Sequence, residues 1–332
     1  MSRKYALATF SSADQPKTAG IVIDDNIISL DLVLGGEPFG PIEPGMSVFQ
    51  LVQRWDAALP ALDTFCERAC GRETLTWRRA KDVTLHAPVE EARQIFCTGA
   101  NYRTHVVHLT MDTGVGPEGL TRDELRKWAE DMMDERLANG EPYAFTKPVS
   151  AIAGPNDPLL LPSNTTKPDW ELELAVIIGK KGLNISRAEA MDFVAGYSIV
   201  NDISARDLIA RTDYKQLGTD WLRAKGQPGF LPFGPYLVPA QFVPNPYDLK
   251  INLSVSGKMM QDETTGDMMF NIARQIEHIS RYAWLLPGDI ICTGSPAGNG
   301  THYNRFLRDG DLMVGSIEGL GTQTIRCVAA GY

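Results

Sequence analysis

Five short segments of this sequence carry polar residues whose types could build one reaction pocket. Three carboxylates and one lysine among them predict a site for a hard divalent cation and an oxo acid, because hard cations prefer oxygen ligands. No single segment supports this interpretation, which depends on their order along the chain. The segments are residues 99–105, with Tyr102 and His105; Glu171 and Glu173; Asn201 and Asp202; Lys225; and residues 287–298.

Three of these residues are the predicted metal ligands. Glu171 and Glu173 lie two apart in the strand-like run WELELAVIIGKK. Side chains alternate along a strand, so both carboxylates share one face, where they repel each other unless a cation joins them. This pair alone would also fit a solvated strand face, but Asp202 adds a third carboxylate at the end of the apolar run GYSIV. Ligation by oxygen alone predicts Mg²⁺ or Mn²⁺, with Ca²⁺ also possible.

Charge restricts the partners of the chain. The formal net charge is −9, which disfavours nucleic acids and anionic membranes. An anionic substrate would need local cations, and Lys225 is predicted to neutralise the carboxylates and to bind a substrate carboxylate. A surface lysine is the alternative, but the apolar run after Lys225 favours burial.

Composition predicts a cytoplasmic globular protein. The 332 residues contain no apolar run long enough to span a bilayer, and the first fifteen lack the pattern of a secretory signal. Five cysteines, an odd number, fit structural thiols in a reducing compartment better than a disulfide framework.

The pattern of elements predicts a β-rich α+β fold. Strand-like runs outnumber helical ones and do not alternate with them, which argues against a doubly wound sheet. Residues 1–88 are predicted to form a small α+β domain, with Asp24-Asp25-Asn26 as a hairpin turn and residues 47–69 as a helix. Residues 89–332 are predicted to form the catalytic domain.

An insertion at about 109–144 interrupts the catalytic domain. Thr121 and Glu124 form a predicted capping box, and an apolar stripe at helical spacing ends at Asn139-Gly140. The stripe consists of Leu125, Trp128, Ala129, Met132 and Leu137. A surface helix and a lid over the pocket are both consistent with this pattern.

Taken together, the segments resemble the fumarylacetoacetate hydrolase superfamily, in its acylpyruvase and 2-hydroxyhepta-2,4-diene-1,7-dioate isomerase-like branch. The resemblance covers about residues 95–328 in the right order. It implies a catalytic domain built as a mixed β-sandwich roll, a homodimer, and Mg²⁺ or Mn²⁺ as cofactor. The runs that carry it are GANYRTH, FTKPVSAIAGPNDPLLLP, WELELAVIIGKKG, VAGYSIVNDISARDL, KGQPGFLPFGPYLVP, SGKMMQDETTGDMMFNIARQIEHIS and LLPGDIICTGSPAGNG.

The resemblance also implies roles for single residues. It makes Glu171, Glu173 and Asp202 the metal ligands, and Lys225 and His105 catalytic. Tyr102 and Lys225 would line the substrate site with Gly294 and Ser295, which match the family's Gly-Thr-Pro loop.

One departure from the family concerns the partner of His105. Many relatives carry a glutamate three residues after the catalytic histidine, and here that position is His108, which is a further catalytic candidate. A lid carboxylate could complete the dyad instead, with Glu118, Asp123 and Glu124 as candidates. A zinc pair of His105 and His108 is disfavoured, because nothing nearby in the sequence supplies further ligands.

Together with these residues, the resemblance implies hydrolysis of a carbon–carbon bond in a 2,4-dioxo acid, by way of a metal-stabilised pyruvate enolate, with His105 activating water. Decarboxylation or isomerisation of a 2-oxo or 2-hydroxy-dienoic acid is the alternative, and His108 favours it. A metal-dependent binding protein without catalysis is a third possibility, supported only by the altered dyad. Arg206 and Asp207 are predicted to orient their loop through an ion pair, and His302 and Tyr303 could reach the pocket mouth.

Overall fold

The structure contains helices and strands in similar proportion, so the predicted mixed fold is confirmed but its strands do not outweigh its helices. The computed structural model describes residues 4–72 and 74–330 of the chain. The α-helices are α1 Leu30–Leu34, α2 Val48–Val52, α3 Trp55–Cys70, α4 Arg103–Thr113, α5 Arg122–Asn139, α6 Trp221–Lys225, α7 Ile272–Tyr282 and α8 Gly300–Tyr303. The strands are β1 Ala6–Ser12, β2 Gln15–Ile23, β3 Asn26–Ser29, β4 Arg78–Arg79, β5 Thr84–His86, β6 Ile95–Gly99, β7 Tyr143–Lys147, β8 Ile152–Ala153, β9 Leu159–Leu161, β10 Pro168–Asp169, β11 Leu172–Ile178, β12 Val194–Asn201, β13 Ser204–Ala205, β14 Leu231–Pro232, β15 Val238–Pro239, β16 Lys250–Val255, β17 Lys258–Thr264, β18 Ile290–Cys292, β19 Leu312–Ile317 and β20 Gly321–Ala329.

The N-terminal strands form an antiparallel sheet in the order β4-β3-β2-β1-β5. Asp24 and Asp25 both have positive φ angles and turn the chain between β2 and β3, which confirms the predicted hairpin. The single helix predicted over residues 47–69 is wrong in detail. It is interrupted at residues 53–54 and forms α2 and α3.

A six-stranded sheet in the order β15-β12-β11-β18-β6-β7 contains the predicted pocket residues. Its strand β11 is buried on both faces. Leu172, Leu174, Val176 and Ile178 pack into one apolar cluster with residues of α7, β16 and β19, whereas Ala175 and Ile177 join a second cluster that includes residues of α3. The second face is the one that carries Glu173, as the two-residue period of a strand predicts.

Two short strands connect the edges of this sheet. β8 follows β7 closely in the chain and pairs in parallel with β14. Phe233, which follows β14, forms a bridge with Val200 of β12. A five-stranded sheet in the order β17-β16-β19-β20-β9 covers the other side of the first cluster. The structure is therefore mixed in helix and strand, and its finer description as a sandwich roll stays a prediction.

The second apolar cluster joins the N-terminal residues to the rest of the chain. It contains Tyr5, Leu7 and Val52 together with Ala175 and Leu237. Leu7 also forms a bridge with Leu237. The division into domains at residue 88 stays a prediction. In the described residues, no helix has the length and apolar character needed to cross a membrane.

Candidate active site

Four strand ends meet where the predicted site residues lie. β6 and β18 run parallel, so the segments after Gly99 and Cys292 leave the sheet on the same side. β11 is antiparallel to β18 and starts there, and β12 is antiparallel to β11 and ends there. The sheet therefore brings together Tyr102, Glu171, Glu173, Asp202 and Gly294, although they lie far apart in sequence.

Three buried carboxylates form the centre of this site. Glu171, Glu173 and Asp202 are 6%, 3% and 2% exposed, and each offers an oxygen within 4.8 Å of the other two. The backbone holds them in register, because Asp202 N donates to Glu171 O at 2.8 Å. Asn201 contributes its side chain, which accepts from Glu171 N at 2.9 Å. This explains why an asparagine precedes Asp202.

Two buried lysines neutralise part of the cluster. Lys225 Nζ donates to Glu171 and to Asp202 Oδ2, which confirms that this lysine is buried rather than on the surface. Lys147 at the end of β7 donates to Asp202 Oδ1 at 2.6 Å and to Phe230 O at 2.7 Å. The sequence analysis missed Lys147. Its position at the end of an apolar strand, directly before Pro148, was the available signal.

An arginine and a fourth carboxylate extend the network. Arg206 donates to Glu171 Oε1 at 2.5 Å and to Asp169 Oδ2 at 2.8 Å. The predicted ion pair of Arg206 with Asp207 is therefore wrong, because Arg206 pairs with Asp169 and Glu171. Asp207 instead accepts from Thr165 and Thr166.

The carboxylates differ in how well they are compensated. Burial raises the pKa of Glu171, but Arg206 and Lys225 outweigh this effect and hold the pKa well below its usual value. Burial, followed by the charge of Asp202, raises the pKa of Glu173 well above its usual range. No cation contacts Glu173 in the described structure, so no ion pair offsets these two effects. A backbone N–H from Gly294 donates to its Oε2 at 2.8 Å.

This donor set fits a divalent metal ion. A buried carboxylate beside two others is stable only if a proton or a cation compensates it. One oxygen of each carboxylate lies within 4.8 Å of the other two, so a single ion could join them, and an all-oxygen donor set suits Mg²⁺, Mn²⁺ or Ca²⁺. Glu171, Glu173 and Asp202 would hold the ion.

The formal charges of the residues in this network explain how an acidic protein could attract an anion here. The network contains four carboxylates, with Asp169, and three cations, so its formal charge is −1. A bound divalent ion would bring the charge to +1, which favours an anionic ligand despite the net charge of −9.

The candidate base, His105, lies in the first turn of α4. The start of this helix is fixed by Asn101, whose amide donates to Thr293 O at 2.7 Å and accepts from Phe270 N at 2.8 Å. Burial lowers the pKa of His105 to about 4, and Glu171, Arg206, Lys225 and His108 are the charged groups that act on it most. Its imidazole is therefore mostly neutral at pH 7, and Glu171 lies close enough to favour its protonated form.

His108 lies one helical turn after His105 and faces α8. Its ring stacks on His302 with centroids 5.0 Å apart and an interplanar angle of 15°. His302 Nδ1 hydrogen-bonds to Asp112 Oδ2 at 2.6 Å. Among the described residues, the group of three possible metal ligands is the Glu171 cluster, and neither histidine of α4 belongs to it.

The predicted insertion forms a helical hairpin of α4 and α5. Thr121 and Glu124 form the predicted capping box. Three members of the predicted stripe, Trp128, Ala129 and Met132, pack against α4 in the cluster that contains Val107, whereas Leu137 is 41% exposed. Met133, which was not predicted, is buried in the same cluster. The base itself therefore lies on this hairpin, and whether the hairpin moves as a lid stays a prediction.

The three proposed lid carboxylates have exposed positions. Glu118 lies in the loop between α4 and α5, and Asp123 lies in the first turn of α5. Glu124 accepts from Thr121 N and Oγ1 at 2.8 and 2.7 Å, so its carboxylate is engaged in the cap. Nothing in these contacts pairs them with His105, and their proposed role stays untested.

Further candidates line the loop after β18. Gly294 has a φ of 99°, and a Cβ there would lie 2.9 Å from Asn101 Cβ, so a glycine is required. The Ser295 hydroxyl accepts from Gln261 Nε2 at 3.0 Å, and Gln261 also accepts from Leu172 N at the start of β11.

Tyr102, directly before α4, is fully buried, and its hydroxyl has no hydrogen-bond partner. Burial, followed by the charge of Glu173, raises its pKa.

Lys147→Met is expected to destabilise the protein by about 3 kcal/mol, because it leaves a buried Asp202 with one fewer cation. Lys17→Met is the matched control, since Lys17 pairs with Glu90 on the surface and should change stability by less than about 1 kcal/mol. Denaturant unfolding of the metal-free proteins measures both. Equal effects of the two substitutions would contradict a stabilising role for Lys147.

Comparison with curated proteins finds relatives with different reactions. The chain is 44% identical over 186 residues to a 2,4-didehydro-3-deoxy-L-rhamnonate hydrolase from Sphingomonas sp. (strain SKA58), an alignment that covers 55% of this chain and 64% of that protein, less than two thirds of its length. It is 33% identical over 293 residues to the oxaloacetate tautomerase FAHD2B, mitochondrial, from Homo sapiens, which covers 87% of this chain and 82% of that protein.

Solved structures with the same fold match almost the whole chain. A probable 2-hydroxyhepta-2,4-diene-1,7-dioate isomerase from Mycobacterium abscessus superposes with a TM-score of 0.73 at 27% identity, covering 98% of this chain and 100% of that one. Maleylpyruvate hydrolase from Sphingobium sp. SYK-6, in complex with manganese(II) and pyruvate, gives a TM-score of 0.70 at 26% identity, covering 98% and 99%.

A family model described as fumarylacetoacetate (FAA) hydrolase C-terminal matches residues 94–328, which is more than half of the chain. The match confirms the resemblance seen in the sequence and covers the three carboxylates, both lysines and His105. The relatives include hydrolases and isomerases. The chain therefore belongs to the fumarylacetoacetate hydrolase family.

Proposed function

We propose that the protein is a divalent-metal-dependent hydrolase that cleaves the C3–C4 bond of a 2,4-dioxo acid, releasing pyruvate and a carboxylic acid. The observation that carries this proposal is the group of three buried carboxylates held by two lysines, with His105 in the first turn of α4, which follows β6 at the same end of the sheet. The Sphingomonas relative supports the substrate class, because the name of its substrate denotes a sugar acid with carbonyl groups at carbons 2 and 4.

The bound ion, Mg²⁺ or Mn²⁺, would act as a Lewis acid on the 2-oxo carboxylate. His105 takes a proton from the water that attacks the C4 carbonyl, which neutral imidazole can do at pH 7. The C3–C4 bond then breaks, and its electron pair forms the enolate of pyruvate. Lys225 supplies positive charge beside that enolate. Protonated His105 returns its proton to C3, so one water is consumed, the carboxylic acid leaves, and the base is regenerated.

A second reaction class is favoured by residue 108. His108 is an imidazole stacked on His302 and supplies no negative charge to stabilise a protonated His105. Moving a proton at C3, or losing carbon dioxide from a 2-oxo acid with a second carboxylate, requires less of the base than activating water does. The oxaloacetate tautomerase relatives support this alternative.

The remaining parts of the proposal concern assembly and location. The small anionic oxo-acid substrate is consistent with the charge of the metal-loaded site. The homodimer and the cytoplasmic location follow from the resemblance and the composition, and belong to the proposal.

A panel of three substrates separates the two reactions. The protein, stripped with EDTA and reloaded with Mg²⁺ or Mn²⁺, is given acetylpyruvate, a sugar-derived 2,4-dioxo acid, and oxaloacetate. Pyruvate formation, carbon dioxide release and the enol–keto absorbance change are followed in parallel. We expect metal-dependent pyruvate formation from a dioxo acid. If neither dioxo acid yields pyruvate, but oxaloacetate shows enol–keto exchange or releases carbon dioxide, the result would favour isomerisation or decarboxylation.

A further inference from the structure

The short helix α8 is attached to the carboxylate cluster through buried groups. Asp169 is fully buried and accepts from the backbone N–H groups of Gly300 and Thr301 at 2.5 and 3.2 Å. The same carboxylate accepts from Arg206, which also donates to Glu171. The position of α8 is therefore set by the network that holds a candidate metal ligand.

From α8, the side chain of His302 crosses to α4. Its Nδ1 lies 2.6 Å from Asp112 Oδ2, and because a carboxylate only accepts, Nδ1 carries the proton. The ring also stacks on His108 at 5.0 Å. Two different contacts thus connect one residue of α8 to residues four apart on α4, which lie on the same face of that helix.

The ring stack with His302 is the contact that fixes the orientation of His108. His108 Nδ1 is buried and has no hydrogen-bond partner in the described structure. Burial, followed by the charge of His302, lowers the pKa of His108. His108 is thus held by ring packing against His302.

We infer that His302, fixed by Asp112 and stacked on His108, is a positioning residue that holds α4, and with it His105, against the carboxylate cluster. This inference rests on the proposed function in one respect, because it takes His105 as the base. His105 lies one helical turn from His108, so a shift of α4 moves the base directly. A displacement of about 1 Å can cost about a hundredfold in rate.

Four variants separate the contributions. His302→Ala removes the ring and the hydrogen bond, and His302→Phe keeps a ring but removes the hydrogen bond. Asp112→Leu removes the acceptor, whereas Asp112→Asn keeps a carbonyl oxygen at the same place. His278→Ala is the control, since His278 is a half-buried histidine on α7.

We expect kcat with a dioxo acid to fall by about tenfold or more in His302→Ala and in Asp112→Leu, with KM and the Mn²⁺ dissociation constant within about twofold. His302→Phe should have an intermediate effect, and Asp112→Asn should restore most of the activity. The chain has five histidines, so long-range imidazole NMR spectra can follow each one. The His105 resonances should shift or broaden in His302→Ala and stay unchanged in His278→Ala.

Unchanged kcat together with unchanged His105 resonances would overturn the inference. A change in KM alone, with the His105 resonances intact, would also overturn it, because His302 would then contact substrate rather than position the base. If the wild-type protein fails to release pyruvate from any dioxo acid, the proposed function fails. The NMR comparison still decides whether His302 positions His105.

Discussion

Glu173→Gln is expected to leave the fold intact and to eliminate metal-dependent turnover. Glutamine has the shape of glutamic acid and removes the one carboxylate of the cluster that contacts no cation in the described structure. The amide should therefore be accepted in the metal-free protein. Loss of a direct ligand should weaken Mn²⁺ binding by at least about a hundredfold, since even outer partners of metal ligands contribute 10–100-fold.

Calorimetric titration with Mn²⁺ and thermal unfolding measure this prediction. At a metal concentration of 100 times its dissociation constant, the wild-type protein should gain about 2.7 kcal/mol of stability, and the variant almost none. Glu37→Gln, on an exposed glutamate far from the cluster in sequence, is the control and should behave as wild type. Full activity and metal-dependent stabilisation in Glu173→Gln would exclude Glu173 as a ligand.

The metal-free proteins should also differ in their pH dependence. The pKa of Glu173 is raised in the folded state, so between its unfolded and folded pKa values the folded protein binds more protons than the unfolded chain. Stability from this group is therefore full below the unfolded pKa and is lost as pH rises through the folded pKa. Glu173→Gln should lack this loss, and unfolding in EDTA at several pH values measures the difference.

The three carboxylates could be predicted because their signals are local. Glu173 lies in β11 and Glu171 directly precedes that strand, so the predicted strand spacing places the two close together, and Asp202 directly follows the buried strand β12. The capping box of α5 was predictable for the same reason, since Thr121 and Glu124 are three residues apart. The same local contact engages Glu124, which the sequence analysis had also proposed as a partner of His105.

The groups that surround the carboxylates required the tertiary structure. Lys147 reaches Asp202 because β14 and β8 connect the two edges of the sheet, and strand pairing of this kind leaves no local pattern. His302 and Asp112 are 190 positions apart. The sequence predicted that His302 could reach the pocket mouth, but its partner Asp112 could not be predicted, because the contact depends on the packing of α8 against α4.

His105→Ala is expected to lower kcat for a dioxo acid by about 10²–10⁴-fold, which is the usual contribution of a positioned general base. Mn²⁺ affinity should stay within about twofold of wild type, because the three carboxylates and both lysines are unchanged. His278→Ala again provides the matched control. Because burial lowers the pKa of His105 to about 4, the base should stay neutral across pH 6–8.

The acid limb of the rate profile should therefore lie near pH 4 or below, with activity falling as pH drops through that value and His105 takes up a proton. Steady-state kinetics on the metal-loaded enzyme, from pH 8 down to about one unit below the expected limb, measures it. An acid limb near pH 6.5 would mean that the imidazole is not buried in the working enzyme. If His105→Ala retains hydrolysis but loses proton exchange at C3, the histidine serves the enolate rather than the water, and tautomerisation becomes the better description of the reaction.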